Sequence, residues 1–449
     1  MNILVDFPYS HVLVLGLAKS GTAAAKLLMN NDKIVRVNDM QATEDDEIVK
    51  ELKTMGAEMV LGAHPISVLE EIEIIVKNPG IPYDNPILEA AMERNIPIIT
   101  EIELAGQLTE GPIIGITGSN GKTTTTTLIT QMLQKSGRPV KVAGNIGLVA
   151  TEIAQTVKEE ETMVLELSSF QLLGIDKFRP NTAVLLNIFE AHLDYHKTIE
   201  NYKKAKFNIF KNQLYDDYLV YNADDPAIAE AILESRSIKV PFSLSRKLEN
   251  GIWLSDESVY FKKEKVIDRK EIVLVGEHNL ENILAAIGAA KLNGATLEGI
   301  RDVLTTFSGV KHRLQFVGNI HGRLFYNDSK ATNILATQKA LSAFRQPTIL
   351  LAGGLDRGNE FDELLPFLGT VKAMILFGET QNKLKEIAEE AGIEKITLVE
   401  TVQEAVKEAY YVSGKEDVIL LSPACASWDQ YRTFEERGDM FIQAVHTLV

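Results

Sequence analysis

The chain of 449 residues has a single cysteine, Cys425, so no intrachain disulfide can form and a disulfide-stapled fold is excluded. It has no uninterrupted run of 18 apolar residues, so no membrane-spanning helix is expected. Basic residues are the minority: 46 Lys and Arg face 62 Asp and Glu, a formal net charge of −16. That balance disfavours nonspecific binding to nucleic acid or to an anionic membrane. A phosphate-handling site must then be a local basic island. The opening stretch MNILVDFPYSHVLVLGLAKSG has no basic region ahead of its apolar residues, and Asp6, Pro8 and His11 interrupt them. It does not read as a signal peptide, and a cytoplasmic enzyme is expected. No short-period repeat or low-complexity tract is visible. What the chain does have is apolar bulk, 45% of its residues, enough for several cores. Its length suggests about three domains of roughly 150 residues each.

The most informative stretch is residues 113–127, IIGITGSNGKTTTTT. An apolar run ends in Gly118, Ser119, Asn120, Gly121, Lys122 and Thr123, and a Thr-rich helical segment follows. Glycines let the backbone fold so that successive N–H groups face one anion, and the helix adds the positive end of its dipole. Lys122 supplies a charge for phosphate oxygens, and the Thr123 hydroxyl can ligate Mg²⁺. An ATP-using protein is the first hypothesis. The strict pattern G-x-x-x-x-G-K-S/T wants Gly where this chain has Ile116. A Gly-rich turn without ligand is the bland alternative. Five consecutive threonines argue against it, because β-branched residues are mediocre helix formers.

Short apolar strands alternating with amphipathic helices imply α/β domains on mainly parallel sheets. Strands are expected at 11–15, 34–38, 73–77 and 96–100 in a first domain. Gly16 to Gly21 forms a turn after the first strand, and Asp39 follows the second. The spacing does not fit G-x-G-x-x-G, so a nucleotide held as part of a substrate is the better reading than NAD. Asn78-Pro79-Gly80 ends another strand; it is a second crevice wall or an ordinary turn. Residues 108–112 read as a linker. Beyond it, the strand around 164–168 carries Glu166 in a Walker B-like position beside a metal held by Thr123. The strand around 183–187 leads to His192, which reads as functional because it sits at a strand end. Residues 305–313 read as the link to a third domain. There, strands near 323–327, 348–352 and 417–421 end in polar clusters at 327–333, 353–358 and 422–429. Three clusters on one sheet edge are poorly explained by helix capping alone.

The segments ITGSNGKTTT, LELSSFQL, NIFEAHLDYH, GEHNLENILAA and NDSKATN, with Tyr202-Lys-Lys-Ala-Lys206, resemble the Mur ligase family in order along nearly the whole chain. The family's phosphate loop departs from the strict pattern in the same way. The resemblance implies three domains, 1–109, 110–308 and 309–449, with Rossmann-like outer domains and a P-loop NTPase-like centre. It implies an ATP-dependent amide-forming ligase of peptidoglycan precursor synthesis that acts as a monomer. SPACASWDQYRTFEERG and GGLDRGNEF look like the member that adds D-glutamate to UDP-N-acetylmuramoyl-L-alanine. Carried over by position, Gly118 to Thr124 would cradle ATP phosphates, with Asn282, Arg313 and Asp328 as further nucleotide contacts. Thr123, Glu166, His192 and Lys206 would hold two Mg²⁺. Lys206 matches a lysine that the family carbamylates; from the residue alone it reads as a solvated helix lysine. Gly16, Leu17, Ser20, Asp39, Asn78 and Gly80 would meet the uridine diphosphate, and Asn145 the sugar-peptide end. Thr332, Arg357, Ser427 and Phe434 would receive D-glutamate. Trp428 reads as core packing or as a contact there. With ATP and D-glutamate on different domains, the family's route would also need domain closure near 305–313. The rivals are another ligase of the superfamily, a nicotinamide oxidoreductase and an ATP-gated binding module.

Overall fold

The computed structural model describes residues 2–145, 147–274 and 276–448. They fall into two compact units, Met1–Glu271 with His278–Thr305, and Ile272–Glu277 with Thr306–Val449.

The first unit holds two sheets. In the first, β1 (His11–Leu15), β2 (Ile34–Asp39), β3 (Glu58–Leu61), β4 (Ile74–Lys77) and β5 (Ile98–Ile99) run in the order β3-β2-β1-β4-β5. Every pairing is parallel. Val12 and Val14 enter one core and Leu13 and Leu15 another, which is why β1 reads as an unbroken apolar run. The strand order reverses between β1 and β4. That is where a parallel sheet opens a crevice beyond its carboxyl ends.

The second sheet contains β6 (Ile113–Thr117), β7 (Val140–Gly144), β8 (Thr162–Glu166), β9 (Thr182–Leu185), β10 (Tyr218–Asn222) and β11 (Ile238–Ser243). An antiparallel extension follows, β12 (Ile252–Leu254), β13 (Ser258–Phe261) and β14 (Glu264–Asp268). The order is β14-β13-β12-β11-β10-β9-β6-β8-β7, so β6 lies between β8 and β9. Ile116 is in register with Glu166, and Thr117 with Leu185. The loop after β6 is therefore flanked by the ends of β8 and β9.

The second unit carries β15 (Gln315–Ile320), β16 (Arg323–Asn327), β17 (Thr348–Gly353), β18 (Val371–Phe377), β19 (Lys395–Leu398) and β20 (Val418–Leu421). Their order is β15-β16-β20-β17-β18-β19, with only β15 antiparallel to its neighbour. The three polar clusters thus follow three adjacent strands, β16, β20 and β17.

Some elements escaped the sequence reading. The edge strand β3 is short and partly exposed, and β12 to β14 are short and separated by charged turns, so neither gives a clear period. The strand expected at 96–100 shrinks to Ile98–Ile99, because the Thr100 N–H turns away to Gly174 O at 2.8 Å. Among the described residues no helix is long and apolar enough to cross a membrane.

Candidate active site

Gly118 to Gly121 leave β6 and enter the helix Lys122–Lys135, whose N-cap Gly121 adopts φ 83°. A Cβ at Gly121 would lie 2.0 Å from Asn282 Oδ1, and one at Gly118 would lie 2.8 Å from Leu186 Cβ. Glycine is needed at Gly121 for both conformation and space. Asn282 is a buried residue of the helix Glu277–Leu292 and walls the loop. Gly121→Ala should cost roughly 1–2 kcal/mol of backbone strain and reroute the loop. Nucleotide affinity is expected to fall about tenfold or more, as read by titration with an ATP analogue beside a thermal melt. Wild-type affinity in that variant would remove Gly121 from the cradle.

Not every loop amide faces outward. The Ser119 N–H goes to Asn187 O at 3.0 Å and the Asn120 N–H to Asn187 Oδ1 at 2.9 Å. These two residues pin the loop to the end of β9, a different duty from the phosphate contact expected of them. The first turn of the helix, with Thr123 and Thr124, keeps N–H groups that have no intrahelical acceptor. Thr124, Thr125 and Thr126 are buried, so part of the threonine run is packing.

Two lysines meet at one carbonyl. Lys122 Nζ donates to Gly118 O at 2.8 Å and to Ser119 O at 3.1 Å, and Lys206 Nζ donates to Gly118 O at 2.9 Å. Lys206 is 2% exposed, so the reading of it as a solvated helix lysine is wrong. It rides over the Tyr202 ring, whose hydroxyl meets Ser119 Oγ at 2.9 Å. Burial, and then the charge of Lys122, hold the Lys206 amine well below its usual range.

Glu166 ends β8 and is 1% exposed. Its Oε1 accepts from Asn145 Nδ2 at 2.8 Å, while Oε2 is buried without a hydrogen-bond partner. A buried carboxylate oxygen left open is costly unless a cation or donor completes it. Asn145 thus orients Glu166 with one of its amide donors; its neighbour Ile146 lies outside the described residues. His192 is exposed, left-handed at φ 56°, and caps the single-turn helix Leu193–His196. Partial burial and the charges of Lys206 and Lys122 lower its affinity for a proton, against the pull of Asp194. The neutral ring that results is the form that ligates metals. Among the described residues no group of three or more His, Cys, Asp or Glu converges as a metal cage.

The sequence reading passed over the aromatic bed beneath His192. Phe170 meets His192 and Tyr195 edge-on and stacks on His196. His196 is buried, bonds Ser169 Oγ at 2.9 Å, and is depressed to about 4 by burial first and by the neighbouring His192 and Lys206 next. Its spacing of four from His192 was the available signal.

At the first sheet, the Gly16 turn and the Asn78 loop come together. A Cβ on Gly16 would lie 2.9 Å from Asn78 Cβ. The Gly80 N–H bonds Asn78 Oδ1 at 3.1 Å, and Ser20 lies in the first turn of the helix Lys19–Asn30. Asp39 accepts from Leu17 N at 2.7 Å and from Gln41 and Ala42 N at 2.8 Å each. Burial raises the Asp39 carboxyl, but these backbone donors together outweigh it and hold it low. These bonds shape the turn. The sequence reading also missed Lys77, a buried lysine ending β4, which burial pulls down to about 7.

In the second unit, Asp328 is buried, accepts from Ser422 Oγ at 2.9 Å and Leu314 N at 3.1 Å, and is pushed by burial up to about 7. The charge of Arg313 acts weakly against that rise. Arg437, also overlooked, is fully buried and ties the clusters together, bonding Ser329 Oγ, Ser329 O and Cys425 O at 2.9–3.0 Å. Cys425 is buried and its thiol is raised to about 11 by burial. Ser427 Oγ is buried without a partner. Phe434 heads the helix Phe434–His446, with the Lys330 ammonium over its ring. The Thr332 N–H bonds Lys330 O at 2.9 Å. Arg357 lies over the Trp428 ring at 4.7 Å, and Trp428 is 64% exposed, which corrects its reading as core packing.

A family model described as the Mur ligase middle domain matches residues 116–290, one described as the Mur ligase glutamate ligase domain matches 312–425, and one for the MurD-like N-terminal domain matches 10–100. The UDP-N-acetylmuramoylalanine–D-glutamate ligase of Oceanobacillus iheyensis is 64% identical over 448 residues, covering all of both chains. The enzyme of the same name from Geobacillus kaustophilus is 59% identical, with 98% of each chain covered. The solved UDP-N-acetylmuramate-alanine ligase MurC of Thermotoga maritima superposes with a TM-score of 0.57 at 19% identity, over 98% of this chain and 99% of that one, and so shares the fold. A loop of phosphate-binding shape on a parallel sheet, in this company, defines an ATP-dependent amide-forming ligase. The chain belongs to the Mur ligase family.

Proposed function

We propose that the protein joins D-glutamate to UDP-N-acetylmuramoyl-L-alanine, with ATP cleavage, in peptidoglycan precursor synthesis. The observation that carries this is full-length identity of 59–64% to two enzymes of that name. The buried, open Glu166 oxygen beside the phosphate loop supports the chemistry. We take the domains as 1–109, 110–308 and 309–449, and the protein as a cytoplasmic monomer.

The alanyl carboxylate takes the γ-phosphoryl group to become an acyl phosphate, the D-glutamate amine attacks, and the tetrahedral adduct expels phosphate. Carboxylate and phosphate repel, so positive charge must be fixed between them. Lys122 provides one such charge. Mg²⁺ fits the residues present: Glu166 offers its open oxygen, with Thr123, His192 and a carbamylated Lys206 as the further ligands of two ions. With no cage of His, Cys, Asp or Glu among the described residues, phosphate oxygens and water would complete the coordination, as is usual for this ion. Bound there, it would neutralise charge gathering on the phosphoryl oxygens. The depressed, buried Lys206 amine is suited to carbamylation, because the neutral form is the nucleophile that adds to CO2. We assign Gly16, Leu17, Ser20, Asp39, Asn78 and Gly80 to the uridine diphosphate, Asn145 to the sugar-peptide end, and Asn282, Arg313 and Asp328 to ATP. Thr332, Arg357, Ser427 and Phe434 are assigned to D-glutamate. The guanidinium of Arg357 suits a two-pronged grip on a carboxylate.

Phosphate release from Mg·ATP with UDP-N-acetylmuramoyl-L-alanine, across a panel of amino acids, tests the proposal. Release is expected only when both the nucleotide sugar and D-glutamate are present. Release with another amino acid would reassign the acceptor, and release without any would favour an ATP-gated module.

A further inference from the structure

Lys77 is 1% exposed and makes three polar contacts, to Asn78 O at 3.2 Å, Pro79 O at 3.1 Å and the Tyr195 hydroxyl at 3.1 Å. The Tyr195 hydroxyl in turn reaches Pro79 O at 3.1 Å and Ile81 O at 3.0 Å. The Lys77 ammonium also lies over the Tyr83 ring at 5.0 Å and the Tyr195 ring at 5.8 Å. Outside this knot, Lys197 pairs with Asp84 at 3.0 Å. Three carbonyls of the loop 78–81 are therefore held by two side chains, one from β4 and one from the helix Leu193–His196.

Both ends of this knot lead to assigned sites. The loop carries Asn78 and Gly80, and its Asn78 and Ile81 abut the Gly16 turn. Tyr195 lies in the helix that His192 caps, and Phe170 packs on both rings, with centroids 4.5 and 5.0 Å apart. A shift of the loop must move the Tyr195 hydroxyl or break partly buried hydrogen bonds, and leaving the buried Lys77 amine without them is expensive. Tyr195 cannot shift alone, because Phe170 packs against it, His192 and His196.

We propose that Lys77 and Tyr195 are positioning residues that couple occupation of the nucleotide-sugar wall at 78–81 to the placement of His192 at the phosphate site. The inference rests on the function proposed above. A simple staple would contribute stability only. A coupling device would make each ligand tighten the other by the same factor.

The test is calorimetric titration of UDP-N-acetylmuramoyl-L-alanine into wild type and Tyr195→Phe, with and without Mg²⁺ and a non-hydrolysable ATP analogue. Tyr195→Phe keeps the ring against Phe170 and removes only the hydroxyl. Wild type is expected to bind the nucleotide sugar about tenfold more tightly with the analogue present, within the usual range of such couplings. In Tyr195→Phe that ratio should fall towards one, with the melting temperature shifted only slightly. Lys77→Met should give the same loss, and Lys77→Arg should restore part of it; Tyr195→Phe decides alone should Lys77→Met not fold. An unchanged ratio in Tyr195→Phe, or no coupling in wild type, overturns the inference while leaving the ligase reading intact. Failure of wild type to bind the nucleotide sugar at all sinks the ligase reading, and the inference with it.

Discussion

Lys206→Ala is expected to lower turnover about 10²–10³-fold, the usual cost of removing one preorganised group that stabilises growing charge. The side chain is buried, its amine bonds the phosphate-loop carbonyl of Gly118, and its stem crosses the Tyr202 ring. Alanine leaves a pocket where the stem and its proposed carboxylate had been. Short carboxylic acids small enough to enter should partly restore phosphate release, with a rate that saturates in added acid. Neutral amides of the same size should not. The fold should survive, because the substitution removes a buried amine whose charged form is already disfavoured. Full activity without rescue would remove Lys206 from the reacting centre. Lost activity that no acid restores would leave it as packing.

Glu166→Gln should separate stability from function more sharply. Glutamine keeps the length of the side chain and an oxygen to accept from Asn145 Nδ2. It gives up the negative charge of a group that is 1% exposed and has one oxygen without a partner. The melting temperature is therefore expected to hold or rise. Turnover should drop about 10²–10³-fold, and the Mg²⁺ concentration for half-maximal rate should increase. The check is a magnesium titration of phosphate release beside a thermal melt. A large loss of melting temperature with normal magnesium dependence would make Glu166 a structural residue and leave the proposed metal site without its carboxylate.

Local chemistry was the legible part of this chain. The stretch ITGSNGKTTT fixes a strand, a turn and a helix start, and the structure has all three at 113–117, 118–121 and 122–135. The three polar clusters of the third sheet also lie on adjacent strands, as their position after apolar runs implied. What stayed hidden was the inward turn of a few charged residues. Lys203, Lys204 and Lys206 look alike in a string, yet only Lys206 is buried. The stripe Tyr202, Ala205, Lys206 has the spacing of three and four that marks a helix's inner face, and that signal was available. Arg437 was hidden in the same way, since Gly438 and Phe441 share its buried face. Lys77 gave less warning, because it closes an apolar strand like any polar end residue. Its partner Tyr195 lies 118 residues away, and no local period joins the two. Partners so far apart in sequence are set by the fold as a whole.

The burial of Cys425 has a practical consequence. It is the only cysteine in the chain, and its thiol is both covered and raised to about 11. At neutral pH it offers almost no thiolate to an alkylating reagent. A cysteine introduced at an exposed position would then be the one thiol a maleimide dye can reach, with no native residue to remove first. A pair of such labels, one on each side of residues 305–313, would report any change in distance between the two units as ligands are added.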